Sequence, residues 1–590
     1  MKKVISTSIY GICVLCAILL TNSCIKNLAY STSELFDNSE IVTASFMGQI
    51  VQEDGTPLDG AKVILGSHTY TTRTDGVFFF SDIQTPQNAC LIRIKKTGYF
   101  DAFRTVYVIP NQDNQVRIMA MAIPAAQTFS ANTGGTISIP NGGSIDFEPK
   151  TIVDAVSNIP HTGSVEVYAK WIDPSSDNLP LLMPGSLRGI NPEGAEQALA
   201  SYGMQAVELR DGAGNELQLA QGSLATVHFP IPASLSGSAP LRIPLWSLDE
   251  SNGMWVEEAT AKKVGNEYVG AVSHFSYWNC DVPSNVVIFE ATFVDQNNVP
   301  ISGGTCVLKN STQRTGFGRT NSSGMTAGPI PKNTNFDLAF YGPGCAITTT
   351  PLHTQRFSSG NTAVDLGTIT VVISSPTTIK GRVVDCQNNP LPSAIVSIGM
   401  DNRYQQTLMT NSSGDFSTSL SCVSSNQNVS IEAYDPKNYV HGSSSHLVSP
   451  QLVNNIGNVM ACGSPSGFIN WSSTDGSSTT NSSAAQIGNS IALFYNSNIT
   501  TIAYEALEGR AFIFVEFDGP QNSTGPHSLK SFFDHLDRSE QTSISGSPAV
   551  NITSYQAIGG WVEGNFTATL IGGYIPSRSV ECSFRVKRKQ

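Results

Sequence analysis

The stretch SFMGQIVQEDGTPLDGAKVILGSHTYTTRTDGVFFF, residues 45–80, decides the fold. It opens as a strand, breaks at a polar turn ending in Pro57, resumes as an alternating strand, and turns again at Thr74-Asp75-Gly76. The same pattern returns twice. From Ile288 the chain reads IFEATFVDQNNVPISGGTCVLKN, with RTNSSG at Arg319–Gly324. From Ile379 it reads IKGRVVDCQNNPLPSAIVSIGM, with MTNSSGDFSTSL from Met409. The proline-to-glycine offset is 24 in the later copies (Pro300 to Gly324, Pro390 to Gly414) and 19 in the first (Pro57 to Gly76). Turn residues at fixed offsets between alternating strands predict the hairpins of a small antiparallel sandwich, written three times.

These segments resemble the carboxypeptidase regulatory-like domain, a transthyretin-like (prealbumin-like) β-sandwich. Its pattern, G-x-V-x-D-x-x-G-x-P-L-x-G-A-x-V and then T-D-x-x-G-x-F, is matched best by Gly48–Val63 with Thr74–Phe78, where the second part is two residues shorter. The third copy keeps Gly381, Val383, Asp385, Pro390 and Leu391, whereas the second has Ala291 at the first glycine and Met325 after the last. The resemblance implies sandwiches at 42–123, 285–374 and 375–463. It is specific for fold and says little of chemistry, because the module recurs in enzymes, transporters and surface proteins. Peptidase chemistry is not implied: none of the nine histidines begins an HxxE or HExxH motif. A GxSxG elbow, a Walker loop and a dinucleotide GxGxxG in strand–helix context are also missing from the sequence.

Residues 124–284 read as a different β-module. Its marks are Trp246-Ser-Leu-Asp-Glu-Ser-Asn-Gly-Met-Trp255 and His274-Phe-Ser-Tyr-Trp-Asn-Cys-Asp281. These blocks resemble an extracellular module of cartilage intermediate layer protein that also occurs in bacterial envelope lipoproteins, and no catalytic residue carries over with it. His274 and Cys280 are too few for a metal site, so His274 is expected to be satisfied by a neighbouring carbonyl. Asp211 and Asn215 in DGAGNE supply turn geometry, and they fall short of the six to eight oxygens that calcium takes. Adjacent acids such as Glu257 and Glu258 point to opposite faces of a strand and read as solvated surface.

Residues 464–590 read as a C-terminal β-domain. The Ser/Thr/Asn-rich stretch Asn470–Gln486 is expected to be a polar loop or a mobile strand edge. Strands are expected at Ser490–Tyr495, Thr501–Leu507 and Ala511–Phe517, with a short helix over Leu529–Leu536. A hairpin introduced by Gly559-Gly560 precedes the terminal strand, and this ending resembles the C-terminal β-domain of envelope lipoproteins.

The N-terminus sets the compartment. Lys2 and Lys3 precede an apolar run from Val4 to Leu20 and then Thr21-Asn-Ser-Cys24, the parts of a secretory signal peptide over 1–23. Ser23-Cys24 resembles a lipobox, which implies lipidation of Cys24, although Thr21 stands where leucine is usual. Ordinary secretory cleavage and an uncleaved anchor are the alternatives. Residues 24–41 form a polar linker. The composition fits export: charged residues are 14% and the net charge is -12. That excludes the basic face of a nucleic-acid binder, while 40% hydrophobic residues exclude an ordinary disordered chain.

Of 11 cysteines, Cys13 and Cys16 lie in the signal and Cys24 at its end. The eight that remain permit disulfides in an exported chain. Cys306 with Cys345, and two of Cys386, Cys422 and Cys462, are expected pairs because each set lies inside one module. Zinc is the rival, but no CxxC pair occurs among these eight.

The expected molecule is all-β: tandem antiparallel sandwiches (Ig-like or prealbumin-like), strung like beads on a lipid-anchored N-terminus. The function expected is a non-enzymatic lipoprotein of the outer membrane, exposed at the surface, serving as an adhesion, glycan-binding or assembly scaffold. Its partners would be the membrane and a surface glycan or protein, with no cofactor or metal. Trp471, Tyr555 and Trp561 are the candidate ligand contacts, with core packing as their alternative. Two other readings stay open: a periplasmic accessory subunit of an envelope transporter, and a carbohydrate-processing hydrolase whose acids come from separate modules.

Overall fold

The computed structural model describes residues 35–588 apart from 311–313, 401–402, 439, 463–467, 475–478, 486–490, 497–498, 506–510, 520–522, 535–542, 557–560 and 572–576. The expected signal peptide, Cys24 and Gly559-Gly560 lie outside the described residues. The chain is all-β, and Leu179–Leu182 is the one helix among the described residues.

The three repeats share one topology. In each, the opening strand lies between an antiparallel neighbour and a parallel one. Ile41–Val51 pairs with Val77–Pro86 and Asp113–Met119. Tyr277–Asp295 pairs with Met325–Pro331 and Val364–Val371. Thr377–Val384 pairs with Asp415–Leu420 and Val453–Met460. A second sheet closes each core; it has four strands in the second repeat (Arg314–Arg319, Thr305–Lys309, Asn335–Tyr341 and His353–Ser358) and in the third, and in the first it is the end of a 14-stranded sheet. Alternation explains the closure. In Ile395–Met400 and Asp415–Leu420 the apolar residues Val396, Ile398, Phe416 and Leu420 enter the core of the third repeat.

The proline and glycine that define the repeat meet in space. Val51, Val294 and Val384 each form a bridge to Pro57, Pro300 and Pro390. The carbonyls of Gly76, Gly324 and Gly414 accept from Ile50, Phe293 and Val383 at 2.9, 2.7 and 2.8 Å. These glycines have φ of +68°, +76° and +73°, and a Cβ on Gly324 would lie 2.3 Å from the Phe293 carbonyl oxygen. No other residue fits there without strain. Four residues before each glycine a buried threonine finishes the turn. Thr72, Thr320 and Thr410 donate at 2.6 Å to the carbonyls of Leu58, Ile301 and Leu391. The shorter offset of the first copy is absorbed by its tight hairpin between Lys62–Leu65 and His68–Thr71.

The tryptophan module is built on Glu196–Arg210, which pairs with Ser164–Ile172 and Tyr277–Asp295. Tyr277–Asp295 runs unbroken for 19 residues. Its first part belongs to this module and its second to the next repeat, so the boundary expected at 284/285 falls inside one strand and not in a linker.

That continuity begins a wider correction: the modules are not beads on a tether. Phe100, Phe103 and Met121 of the first repeat share a core with Trp246, Leu248, Trp255 and Tyr277. Met47 and Phe79 of the first repeat pack on Ile395 and Tyr434 of the third. Ser322 of the second repeat donates its N–H and hydroxyl to Asp113 of the first. Each fully buried aromatic contributes roughly 1.5–3 kcal/mol, so several at one junction stabilise the docked arrangement.

The C-terminal region differs from expectation once. Of the two alternatives for Asn470–Gln486, loop or strand edge, most of the stretch is strand, Phe468–Thr474 paired antiparallel with Thr479–Ala485. The helix expected over Leu529–Leu536 is the strand Gly525–Asp534 as far as the described residues run. Apolar residues three apart suit a helix, but a register shift opposite Glu516 and Phe517 puts Leu529 and Phe532 on one face of a strand, both in the core.

Candidate functional site

The two sequence blocks of the tryptophan module prove to be joinery. Trp246 and Trp255 lie on the hairpin strands Arg242–Asp249 and Met254–Val264, fully buried against the first repeat. Their indole N–H groups donate to the carbonyls of Asp281 and Ser186 at 3.2 and 2.9 Å. Gly253, between them, accepts from Thr105 Oγ1 of the first repeat at 2.6 Å. In the second block, Ser201 Oγ donates to Asn279 Oδ1 at 2.9 Å, and Asn279 Nδ2 donates to Asp281 Oδ2. Asn279 and Asp281 are 0% exposed, and burial pushes the Asp281 carboxyl well above its ordinary value. A carboxyl sealed in this way meets no substrate.

His274 is satisfied, though not by a carbonyl as expected. Its Nε2 lies 3.1 Å from Glu258 Oε2, and its ring is 5.1 Å from that of Trp278. The hydrogen bond from His274 holds the Glu258 carboxyl below its ordinary value, against desolvation by burial. Asp211 closes a plain turn, accepting from the backbone of Ala213 and Asn215 at 2.8 and 2.9 Å and from the Asn215 amide at 2.9 Å. Among the described residues no three His, Cys, Asp or Glu side chains are grouped to hold a metal ion.

Acids from separate modules do converge, at Asp101, Glu208 and Glu250. Each is held by a cation. Arg93 reaches Asp101 at 2.6 Å and Glu250 at 3.3 Å, Lys95 reaches Asp101 at 3.3 Å, and Arg210 reaches Glu208 at 2.5 Å. Burial raises Glu208 and Glu250 above their ordinary values, with the arginines acting in the opposite direction. This is an inter-module ion-pair network.

The cysteines correct one expected pair, Cys306 with Cys345, and keep the other, drawn from Cys386, Cys422 and Cys462. Cys345 bonds to Cys422, joining the second repeat to the third, and Cys386 bonds to Cys462 within the third. Cys345 follows the strand Asn335–Tyr341 in a turn directed at the neighbouring repeat, whereas Cys306 lies within Thr305–Lys309 and points into its own core. Burial pushes the Cys306 thiol up to about 12, so it remains an inert packing residue.

Two of the three aromatic contacts expected in the C-terminal region have described side chains. Tyr555 is a core residue, its hydroxyl 2.9 Å from Thr500 Oγ1 and its ring 5.1 Å from the Arg588 guanidinium. Trp561 is half-buried, with Arg585 5.0 Å from its ring centroid. Trp471 lies in the strand Phe468–Thr474, and its side chain is outside the described residues.

A cleft of about 190 Å³ opens where the first repeat, the tryptophan module and the second repeat meet. Four arginines line it, Arg104, Arg117, Arg188 and Arg319, opposed by one acid, Asp113. No local motif announces this site, since its residues come from three modules and meet only after they dock.

No protein-family model matches the chain. Part of it is similar to cartilage intermediate layer protein 2 of Homo sapiens, 27% identical over 233 residues, which cover 37% of this chain and 20% of that protein. Cartilage intermediate layer protein 1 of Mus musculus is 34% identical over 106 residues, 18% of this chain and 8% of that one. The chain thus spans at most about a fifth of the length of these relatives. Among solved structures, the shaft pilin SpaA of Lactobacillus rhamnosus GG aligns with 30% of this chain and 97% of its own, at 11% identity and a TM-score of 0.16. The Bacillus anthracis TIE protein aligns with 75% of this chain and 65% of its own, at 9% identity and a TM-score of 0.15. Neither alignment bears on function at such scores.

Proposed function

We propose that the chain is a non-enzymatic scaffold of the bacterial cell envelope, lipid-anchored to the outer membrane at Cys24 and exposed at the surface, where it presents adhesive or glycan-binding faces. The observation that carries this reading is the docking of the modules through shared cores, with Cys345–Cys422 as a covalent tie. A body of this kind holds distant surfaces in fixed relation, which suits a scaffold. Two disulfides fit an oxidising compartment outside the cytoplasm. The partial similarity to proteins named for a layer of cartilage also fits a structural role.

Protease shaving of intact cells, scored with an antibody against the C-terminal region, tests the reading. Loss of the signal while a periplasmic control survives is the expected result. Full protection until lysis would sink surface exposure and leave the periplasmic accessory subunit as the better account. Replacing Cys24 by Ser is expected to release the protein from the membrane fraction, and retention would overturn the lipid anchor.

A further inference from the structure

We infer that the three-module cleft is a binding site for a carboxylate carried on a small apolar body, seated against Arg104, Ser186 and Asn321. Each of these lines the cleft from a different module, and each has a buried polar atom with no hydrogen-bond partner among the described residues: Arg104 Nε, Ser186 Oγ and Asn321 Nδ2. All three can donate, which points to an acceptor-rich ligand. An unmet buried donor costs about 1–3 kcal/mol, so three in one cleft form a site that an acceptor would stabilise.

The charge points the same way. Arg104 is 8% exposed, and its Nη2 donates to the Leu181 carbonyl at 3.0 Å. Burial brings it down to about 10, which still leaves it a cation at neutral pH. The one acid in the lining, Asp113, is engaged by Ser322. Arg188 is bound to Glu196 at 2.6 Å and to Asn88. Water would meet the hydrogen bonds but not the charge, whereas a carboxylate meets both, and forms the stronger charge-assisted bond.

Asn321 shows that the cleft turns a structural residue into a contact. Its Oδ1 accepts from Ser323 and Met325, as Asn411 Oδ1 accepts from Ser413 and Asp415 in the third repeat. Asn411 is exposed, whereas Asn321 is 1% exposed because the docked modules enclose its amide.

Size and lining set the ligand class. The cleft is far above the roughly 10–15 Å³ that one water needs, and below the range of about 300–1,000 Å³ for larger ligands. Val106, Leu179, Met183 and Phe317 supply its apolar wall. The carboxylate could belong to a free organic acid or to the C-terminus of a partner chain.

Calorimetric titration of the exported chain with benzoate and benzamide, and with a peptide ending in a free phenylalanine carboxylate and the same peptide amidated, tests the site. Binding of benzoate but not benzamide is expected for a free acid; binding of the free-ended peptide alone would assign the carboxylate to a partner chain. Arg104→Met is expected to weaken the binding at least tenfold, and Arg104→Lys less. Asn321→Asp keeps the acceptor of its turn and so the fold, yet is expected to abolish binding by charge repulsion. Equal binding of acid and amide, no binding of any probe, or unchanged affinity in folded Asn321→Asp would overturn the inference.

Discussion

Gly324 and Gly253 sit in turns of nearly the same backbone shape, with φ of +76° and +73°, but they answer to different partners. A Cβ on Gly324 would strike the Phe293 carbonyl of its own repeat, at 2.3 Å. A Cβ on Gly253 would strike Thr105 Oγ1 of another module, at 2.4 Å. The first constraint is local and returns at Gly76 and Gly414. The second exists only because two modules are docked. The chain therefore contains two kinds of order, sandwiches that each close on themselves and junctions that hold them in one arrangement.

The difference can be broken at the junction first. Trp255→Ala is expected to cost about 3–5 kcal/mol, the usual range for deleting a fully buried tryptophan. It should loosen the first repeat from the tryptophan module, read as a lower melting temperature and new protease cleavage between them. An unchanged melting temperature would mean that the shared core carries little load. Replacing Cys345 and Cys422 together by Ser is expected to cost about 2–4 kcal/mol. Circular dichroism at low temperature should stay the same, because each repeat retains its own core.

The local constraint is tested by Gly324→Ala, expected to cost about 1–3 kcal/mol through forced left-handed backbone and the clash with Phe293. Gly265→Ala, also at positive φ but with open space around it, should cost less. Equal losses would remove the clash from the explanation.

The smallest effect is electrostatic, where the first repeat meets the third. Glu432 is pushed up to about 7, mainly by burial and then by Asp75, with Arg73 acting against both. Burial also lowers His441 nearby, with Arg73 adding to it. A carboxyl whose folded value is raised binds its proton more tightly when folded. Its contribution is therefore present below the ordinary carboxylate range and lost as pH rises toward 7. Glu432→Gln should flatten that stretch of the stability–pH curve, by no more than about 1 kcal/mol for a half-exposed, screened group. A curve identical to the parent's would show that this carboxyl does not titrate with folding.

The two kinds of order were not equally legible. The alternating strands, Pro57, Pro300 and Pro390, and the glycines that answer them are written within about 25 residues of one another, so hairpin chemistry could be read directly. The tryptophan blocks were visible as blocks, but their service to a junction was not, because Phe103 and Thr105 lie far away in sequence. One cysteine pair failed for the same reason: pairing Cys306 with Cys345 assumed that each module closes on itself, and Cys345 faces its neighbour, whereas Cys386–Cys462 does close within one module as expected. Leu529 and Phe532 misled differently, since a bulge mimics helical spacing on a strand. The arginine cleft left no trace at all, being assembled only by docking.

The most direct test of the docked arrangement is small-angle X-ray scattering from the purified chain in oxidising buffer. A single profile matching the packed modules, the same at low and high salt, is the predicted result, since the junctions rest on buried aromatics more than on screened charges. A broad distribution of dimensions, growing with salt and fitting modules on flexible links, would contradict it.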